Sequence, residues 1–218
     1  MKAAVLALQG DFEAHRMAIQ AQFPDAEIIL FKQASDVIDA LPLDLFAIPG
    51  GESSAFSKLI SFHHLQPLIR KIVEDPQTIT LATCAGAILI ASQIQNPGRA
   101  VTIPMLDVTI KRNAYGRQID SFIAPLEFSA AVTQSGIIPE SDSQREGVFI
   151  RAPQFIRLGP QVETLASEGG KPVLIRQGNI LAATFHPELS KHSLIYRIIK
   201  SMIPCMPKHK FQKEESNP

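Results

Sequence analysis

Apolar residues in the first half of this chain come in short unbroken runs, with helix-length segments between them. Ala3 to Leu8 is such a run, the pattern of a strand buried on both faces. Gln9-Gly10-Asp11 breaks it, and Asp11 is placed to cap a helix over 12–22, which Pro24-Asp25 ends. Glu27 to Phe31 reads as the next strand, and Ala34 to Leu41 as a short helix with Ser35 or Asp36 near its start. Leu43 to Ile48 is a third strand, closed by Pro49-Gly50-Gly51-Glu52-Ser53. A helix over 54–74 follows, with an interruption near Pro67. Residues 78–83 form a fourth strand, and the helix after it is expected to run to Gln95. Strand and helix in alternation predict a parallel sheet with helices on both faces.

Beyond Asn96-Pro97-Gly98 the rhythm changes. Val108 to Lys111, Asp120 to Leu126 and Val148 to Ile150 look like strands without long helices between them. Pro172 to Arg176 and Ile180 to Phe185 flank Gln177-Gly178-Asn179, a good hairpin turn. These segments are expected to add mixed or antiparallel strands at one side of the sheet. Ser190 to Met202 reads as a last amphipathic helix, and 135–147 as a polar surface loop. No internal repeat and no clear linker divides the chain. The expected organisation is a single α/β domain over 1–203, a three-layer, doubly wound and mostly parallel sheet with added antiparallel strands. Residues 204–218 are expected to form a flexible tail.

Composition narrows the function. The 218 residues are 45% hydrophobic, enough for a sizeable core. Lys and Arg balance Asp and Glu, which argues against a phosphate-backbone binder. No apolar run is long enough to span a bilayer, and no membrane or nucleic-acid partner is expected. The apolar start is too short for a signal peptide and reads as a strand. Two cysteines, Cys84 and Cys205, suggest no disulfide framework and fit a reducing, cytoplasmic setting. His63-His64 offers adjacent residues that face different ways on a helix, so no metal is expected there, nor a cofactor elsewhere. His15 reads as a surface or partner-facing residue.

The chemistry centres on Thr83-Cys84-Ala85-Gly86, where an apolar strand turns sharply into an apolar helix. Such an elbow pushes its central side chain out of the sheet edge and sets it over the N–H groups of a helix start, which favour a thiolate. Gly86 leaves room for close packing behind the turn. On this stretch alone a buried structural cysteine is as good a reading. A nucleophile needs a base and the base an orienting group. His186-Pro187-Glu188 supplies both: in an extended segment residues two apart share a side, so Glu188 can hold His186. At the third strand end, Gly50-Gly51 lets a peptide N–H turn inward. The N–H groups of Gly51 and Ala85 are the expected oxyanion hole.

Pro49-Gly50-Gly51-Glu52-Ser53, Thr83-Cys84-Ala85-Gly86 and His186-Pro187-Glu188, in that order, resemble the class I glutamine amidotransferase family, whose sheet is flavodoxin-like. Three further segments, 6–12, 112–122 and 147–153, are similar to the glutaminase subunits of pyridoxal 5′-phosphate synthase. The resemblance implies hydrolysis of L-glutamine to glutamate and ammonia through a glutamyl thioester on Cys84, with His186 as acid and base and Glu188 orienting it. It implies that Gly51, Glu52, Ser53, Arg112, Ile150 and Arg151 bind glutamine, and that Gln9 and Gly10 touch a separate synthase subunit that receives the ammonia. Low activity before that subunit docks is expected from the flexible Gly50-Gly51 peptide. Two alternatives remain at this point: a glutaminase serving another acceptor synthase, and a protease or stress protein of the same fold.

Overall fold

The computed structural model describes residues 1–114, 121–138, 145–190 and 194–203. The strands are Lys2–Leu6 (β1), Glu27–Phe31 (β2), Leu45–Ile48 (β3), Ile79–Thr83 (β4), Ala91–Gln95 (β5), Leu106–Lys111 (β6), Ser121–Pro125 (β7), Glu127–Phe128 (β8), Glu146–Ile150 (β9), Gln154–Leu158 (β10), Glu163–Glu168 (β11), Lys171–Gln177 (β12) and Ile180–Ala183 (β13). The α-helices are Phe12–Gln22 (α1), Ser53–Phe62 (α2), Gln66–Glu74 (α3), Ala85–Ile90 (α4), Ala130–Gln134 (α5) and Leu194–Met202 (α6).

The main sheet has eight strands in the order β2-β1-β3-β4-β13-β12-β11-β8. The first five are parallel, and β12, β11 and β8 extend the sheet antiparallel. The doubly wound α/β fold expected from the strand–helix rhythm is therefore present, with its added antiparallel strands. The chain leaves β1 for β2 on one side and returns to β3 on the other. Such a reversal opens a crevice at the carboxyl ends of the strands. Gln9-Gly10, Gly50-Gly51, Cys84 and His186 all follow the carboxyl ends of these central strands.

The unbroken apolar runs have a simple cause. Ala4, Leu6, Phe46, Ile48 and Ala82 point to one side of the sheet, into a core built with α2, α3, α4 and β6. Ala3, Val5, Leu45, Ala47, Ile79 and Leu81 point to the other, into a core built with Ile19 of α1, Phe149 of β9 and most of α6. With both faces dry, the central strands are almost wholly apolar, Thr80 and Thr83 of β4 being buried polar exceptions.

Several elements differ from the sequence expectation. The helix after β4 stops at Ile90, and Ala91–Gln95 becomes β5, paired parallel with β6. The expected helix over 54–74 is two helices, because the chain turns at His63-His64-Leu65, where His64 has φ of +53°. His63 thus ends α2 and does not lie within a helix. Ala34 to Ala40 forms two 3-10 turns. Asp11 does sit at the α1 N-cap, but its side chain makes no capping hydrogen bond. The strands at 106–111, 121–125 and 146–150 form two small separate sheets, β10-β6-β5 and β7-β9, and do not join the main one. The hairpin at Gly178 is as expected, with φ of +59° there. Cys205, the tail 204–218 and residues 139–144 of the expected loop lie outside the described residues.

Candidate active site

Cys84 stands at the elbow between β4 and α4 with φ of +48° and ψ of −103°, a conformation that costs of order 1–3 kcal/mol in a non-glycine residue. Neighbours hold it there. The Cys84 N–H donates to Ala183 O at 2.8 Å, tying the elbow to the end of β13, and Ile88 N–H donates to Cys84 O at 3.2 Å to start α4. Gly86 lies so close to β3 that a Cβ on it would sit 2.2 Å from Ile48 O, so no other residue fits without displacing the backbone. The thiol is 6% exposed and lies 4.0 Å from the carbonyl oxygen of Ile150.

His186 and Glu188 follow β13, the strand next to the elbow. The His186 N–H backbone group donates to Val148 O at 2.8 Å, and its Nδ1 meets Glu188 Oε1 at 2.8 Å. Burial by itself would lower the proton affinity of His186. Hydrogen bonds to Cys84 and Glu188 and the charges of both outweigh it and raise the imidazole pKa to about 10. Burial likewise works against an ionised Glu188, yet His15 and His186 bring its carboxyl down to about 2. A protonated imidazole between a carboxylate and a sulfur is thus the favoured state at neutral pH.

The second oxygen of Glu188 faces His15, whose Nε2 is 3.3 Å away. That contact is close but not aligned as a hydrogen bond, so among the described residues Oε2 has no well-directed donor, and the aligned partner of Nε2 is Thr83 Oγ1 at 3.1 Å. His15 is fully buried, which corrects the surface position expected for it. Its sequence signal was the spacing of His15 and Ile19, one turn apart on the buried face of α1.

At the end of β3, Gly51 has φ of +142° and Gly50 lies against the two reactive side chains. A Cβ on Gly50 would fall 2.4 Å from His186 Cε1 and 3.2 Å from Cys84 Cβ. A Cβ on Gly10 would fall 1.8 Å from Gly50 O and 2.9 Å from Gly50 C, so the Gly50 carbonyl points almost straight at Gly10. Across a trans peptide the Gly51 N–H therefore points the opposite way. The Gln9 side chain brackets Glu52: its Nε2 donates to Glu52 O at 3.2 Å and its Oε1 accepts from Glu52 N–H at 3.1 Å.

A cavity of about 140 Å³ joins these parts, lined by Gly51, Glu52, Ser53, Cys84, Ile88, Arg112, Asn113, Ile150, Arg151 and His186. Every residue expected to bind substrate lines it. Ala85, Glu188, Gln9 and Gly10 stand behind its wall. Asn113 and Ile88 were not foreseen; Asn113 (φ +49°) and Arg151 (φ +42°) share with Cys84 a left-handed backbone. Arg112 is held in place by Glu52 Oε1 at 3.7 Å, Ser54 Oγ at 3.4 Å and the carbonyl of Pro97. The Glu52 carboxylate caps α2, accepting from Ser54 and Ala55 N–H at 3.0 and 2.6 Å. Burial pushes its pKa up, but those N–H groups and Arg112 leave it lowered overall. With that side chain occupied, backbone groups of Gly51 to Ser53 are better placed to meet a ligand.

A flavodoxin-like sheet with an elbow cysteine at one strand end and a His-Glu pair at the next has the architecture of a glutamine amidotransferase. One solved crystal structure of a glutamine amidotransferase superposes with a TM-score of 0.76 at 35% identity, covering 93% of this chain and 98% of its own. The chain belongs to the SNO glutamine amidotransferase family, whose sequence model matches residues 5–204. Curated relatives named pyridoxal 5′-phosphate synthase subunit PdxT agree. That of Koribacter versatilis is 41% identical over 203 residues, covering 93% of this chain and 96% of its own. That of Thermus thermophilus is 40% identical over 193 residues, covering 88% and 93%. A putative GMP synthase subunit from Thermoplasma acidophilum, at 16% identity with a TM-score of 0.59 and 92% of each chain covered, shares the fold alone.

Proposed function

We propose that this chain is the glutaminase subunit of pyridoxal 5′-phosphate synthase, hydrolysing L-glutamine and handing ammonia to a separate synthase subunit. The observation that carries this reading is Cys84 and His186 together on the cavity wall, with Glu188 behind them 2.8 Å from His186 Nδ1. Cys84 sulfur attacks the carboxamide carbon, and the oxyanion that forms is met by the N–H groups of Gly51 and Ala85. The tetrahedral intermediate collapses with breakage of the C–N bond, and His186 gives its proton to the departing ammonia. Water, deprotonated by His186, then attacks the thioester; the C–S bond breaks, and glutamate and the free cysteine return. Glu188 keeps the imidazole oriented and stabilises its protonated form. A cavity of about 140 Å³ suits a single amino acid. Arg112 and Arg151 on its wall offer forks for an α-carboxylate.

Residues 1–203 act as one glutaminase domain in this reading. Gln9 and Gly10 form the contact with the synthase subunit, which supports a link between docking and catalysis. Gly10 is exposed and its neighbour Gln9 grips Glu52, so a partner pressing on this segment can reorient the Gly50-Gly51 peptide. Ammonia is then released only when an acceptor is present. The setting is cytoplasmic; among the described residues no helix is long and apolar enough to cross a membrane.

Ammonia release from glutamine, measured with and without a pyridoxal 5′-phosphate synthase subunit, tests the reading. The complex is expected to turn over much faster than the isolated chain, and Cys84→Ala to abolish turnover in both. Cys84→Ala activity near that of the unmodified chain would overturn the nucleophile assignment. Equal rates with and without the partner would overturn the activation.

A further inference from the structure

We infer that His15 is a positioning residue for hydrolysis: its Nε2 edge, 3.3 Å from the second oxygen of Glu188, backs the carboxylate, so that Glu188 sits between two imidazoles. This rests on the reading that Cys84, His186 and Glu188 carry out the chemistry.

The argument starts from an oxygen without a directed donor. Glu188 is buried, and Oε1 is taken by His186 at 2.8 Å. Among the described residues Oε2 has no aligned hydrogen bond, and the nearest basic nitrogen is His15 Nε2 at 3.3 Å. A carboxylate oxygen sealed in apolar surroundings is costly unless a donor or positive charge faces it. Everything then depends on whether Nε2 carries hydrogen, and the other ring nitrogen decides that. His15 Nδ1 lies 2.6 Å from the hydroxyl of Tyr196, a fully buried residue of α6. Burial, with the charge of Glu188 as a further cause, pushes the Tyr196 phenol well above its ordinary range, so it keeps its proton and can donate it to Nδ1. Nε2 is then the N–H of the ring, directed to Thr83 Oγ1 at 3.1 Å with Glu188 Oε2 close beside. In the opposite tautomer the Nε2 lone pair would face a carboxylate oxygen at 3.3 Å, two acceptors in a dry site. A chain of contacts thus runs from α6 through α1 to the residue behind the catalytic base: Tyr196, His15, Glu188, His186.

The groups that set the charge on His186 can be named from each side. Glu188 lies behind it and Cys84 in front, while Glu52, Arg112 and Arg151 line the cavity the imidazole faces. His15 from α1 and Tyr196 from α6 face Glu188. Removing the His15 donor makes Glu188 hold a proton more readily, and a weaker anion behind the imidazole lets His186 lose its proton at lower pH.

The test is steady-state glutaminase kinetics of the complex as a function of pH, with His15→Gln, His15→Leu and Tyr196→Phe. His15→Leu and Tyr196→Phe are expected to lose about 10–100-fold in kcat, the size typical when a group that orients a working histidine is lost. KM is expected to stay within about twofold, because neither residue reaches the cavity. The alkaline limb of kcat/KM should move to lower pH in both. His15→Gln, which keeps an N–H donor, should recover most of kcat. A purely structural role would lower the yield of folded protein and scale the whole profile without moving its limb. Unshifted limbs with near-normal kcat in His15→Leu and Tyr196→Phe would overturn the inference. If His15→Leu does not fold, Tyr196→Phe decides alone by the same criteria. Loss of activity in Cys84→Ala, run alongside, separates failure of this inference from failure of the glutaminase reading.

Discussion

Gly10 contributes no side chain, yet its identity controls a peptide of the active site. Its φ is +79°, and a methyl group there would stand 1.8 Å from the Gly50 carbonyl oxygen. Neither collision partner is a flexible side-chain end, so one backbone or the other has to shift. Gly10→Ala is expected to lower kcat of the complex by about 10²–10³, the cost of one misdirected oxyanion donor, and to destabilise the fold by about 1–3 kcal/mol. Glutaminase assays beside thermal melting check this; unchanged kcat in a folded variant would count against the Gly50-Gly51 peptide as part of the hole. Residues like Cys84, His186 and Gly51 were legible in the sequence because reactive or permissive types stood where strands end. His15 was not, since a lone histidine on a helix carries no sign of a partner far along the chain.

At the scale of elements, strands buried on both faces announced themselves by unbroken apolar runs, and β1 to β4 of the parallel half were read from them, while β13, expected among the mixed or antiparallel additions, pairs parallel with β4. The segment Ala91–Gln95 was ambiguous by the same logic. Ala91 and Ile94 are spaced as on a helix, while Ser92-Gln93-Ile94-Gln95 alternates as a strand does. Its fate was decided by pairing with β6, where Ser92 Oγ donates to Leu106 O at 2.6 Å, a contact that local sequence does not encode. The strands β10 and β11 were missed for a related reason: they pair with β6 and β12 across register shifts that local sequence does not encode. Helix α2 shows an element serving the site: its cap, Glu52, also leans on Arg112. Glu52→Ala is expected to cost about 1 kcal/mol in denaturant unfolding, as loss of a cap does. It should also raise KM for glutamine by freeing Arg112, with kcat little changed. A KM equal to that of the unmodified protein would show that Arg112 is held well enough by Ser54 and Pro97.

At the scale of the whole molecule, the site is a junction of distant parts. Segments following β1, β3, β4 and β13 meet there, backed by α1 and α6, so the charges buried in it are coupled to global stability. The folded pKa of Glu188, about 2 against an ordinary 4.5, makes the signs definite. A lowered carboxyl pKa contributes stability that is fully present above about 4.5 and disappears as pH falls toward 2. The raised His186 value contributes stability that is full below 6.5 and is lost as pH rises toward about 10. The two shifts overlap in the Glu188–His186 pair but also draw on His15 and Cys84, so they are not added; each is on the order of a few kcal/mol. Urea unfolding between pH 2 and 10 should therefore show a broad maximum near pH 5–6. In Glu188→Gln the fall on the acid side is expected to be shallower, because that side chain no longer takes up a proton on unfolding. On the alkaline side the loss should be smaller and end at lower pH, since without its anion the folded imidazole holds its proton less far above 6.5. Parallel curves for the two proteins across both limbs would mean that other carboxylates and histidines govern the pH response, and that the buried pair serves catalysis without bearing on the fold.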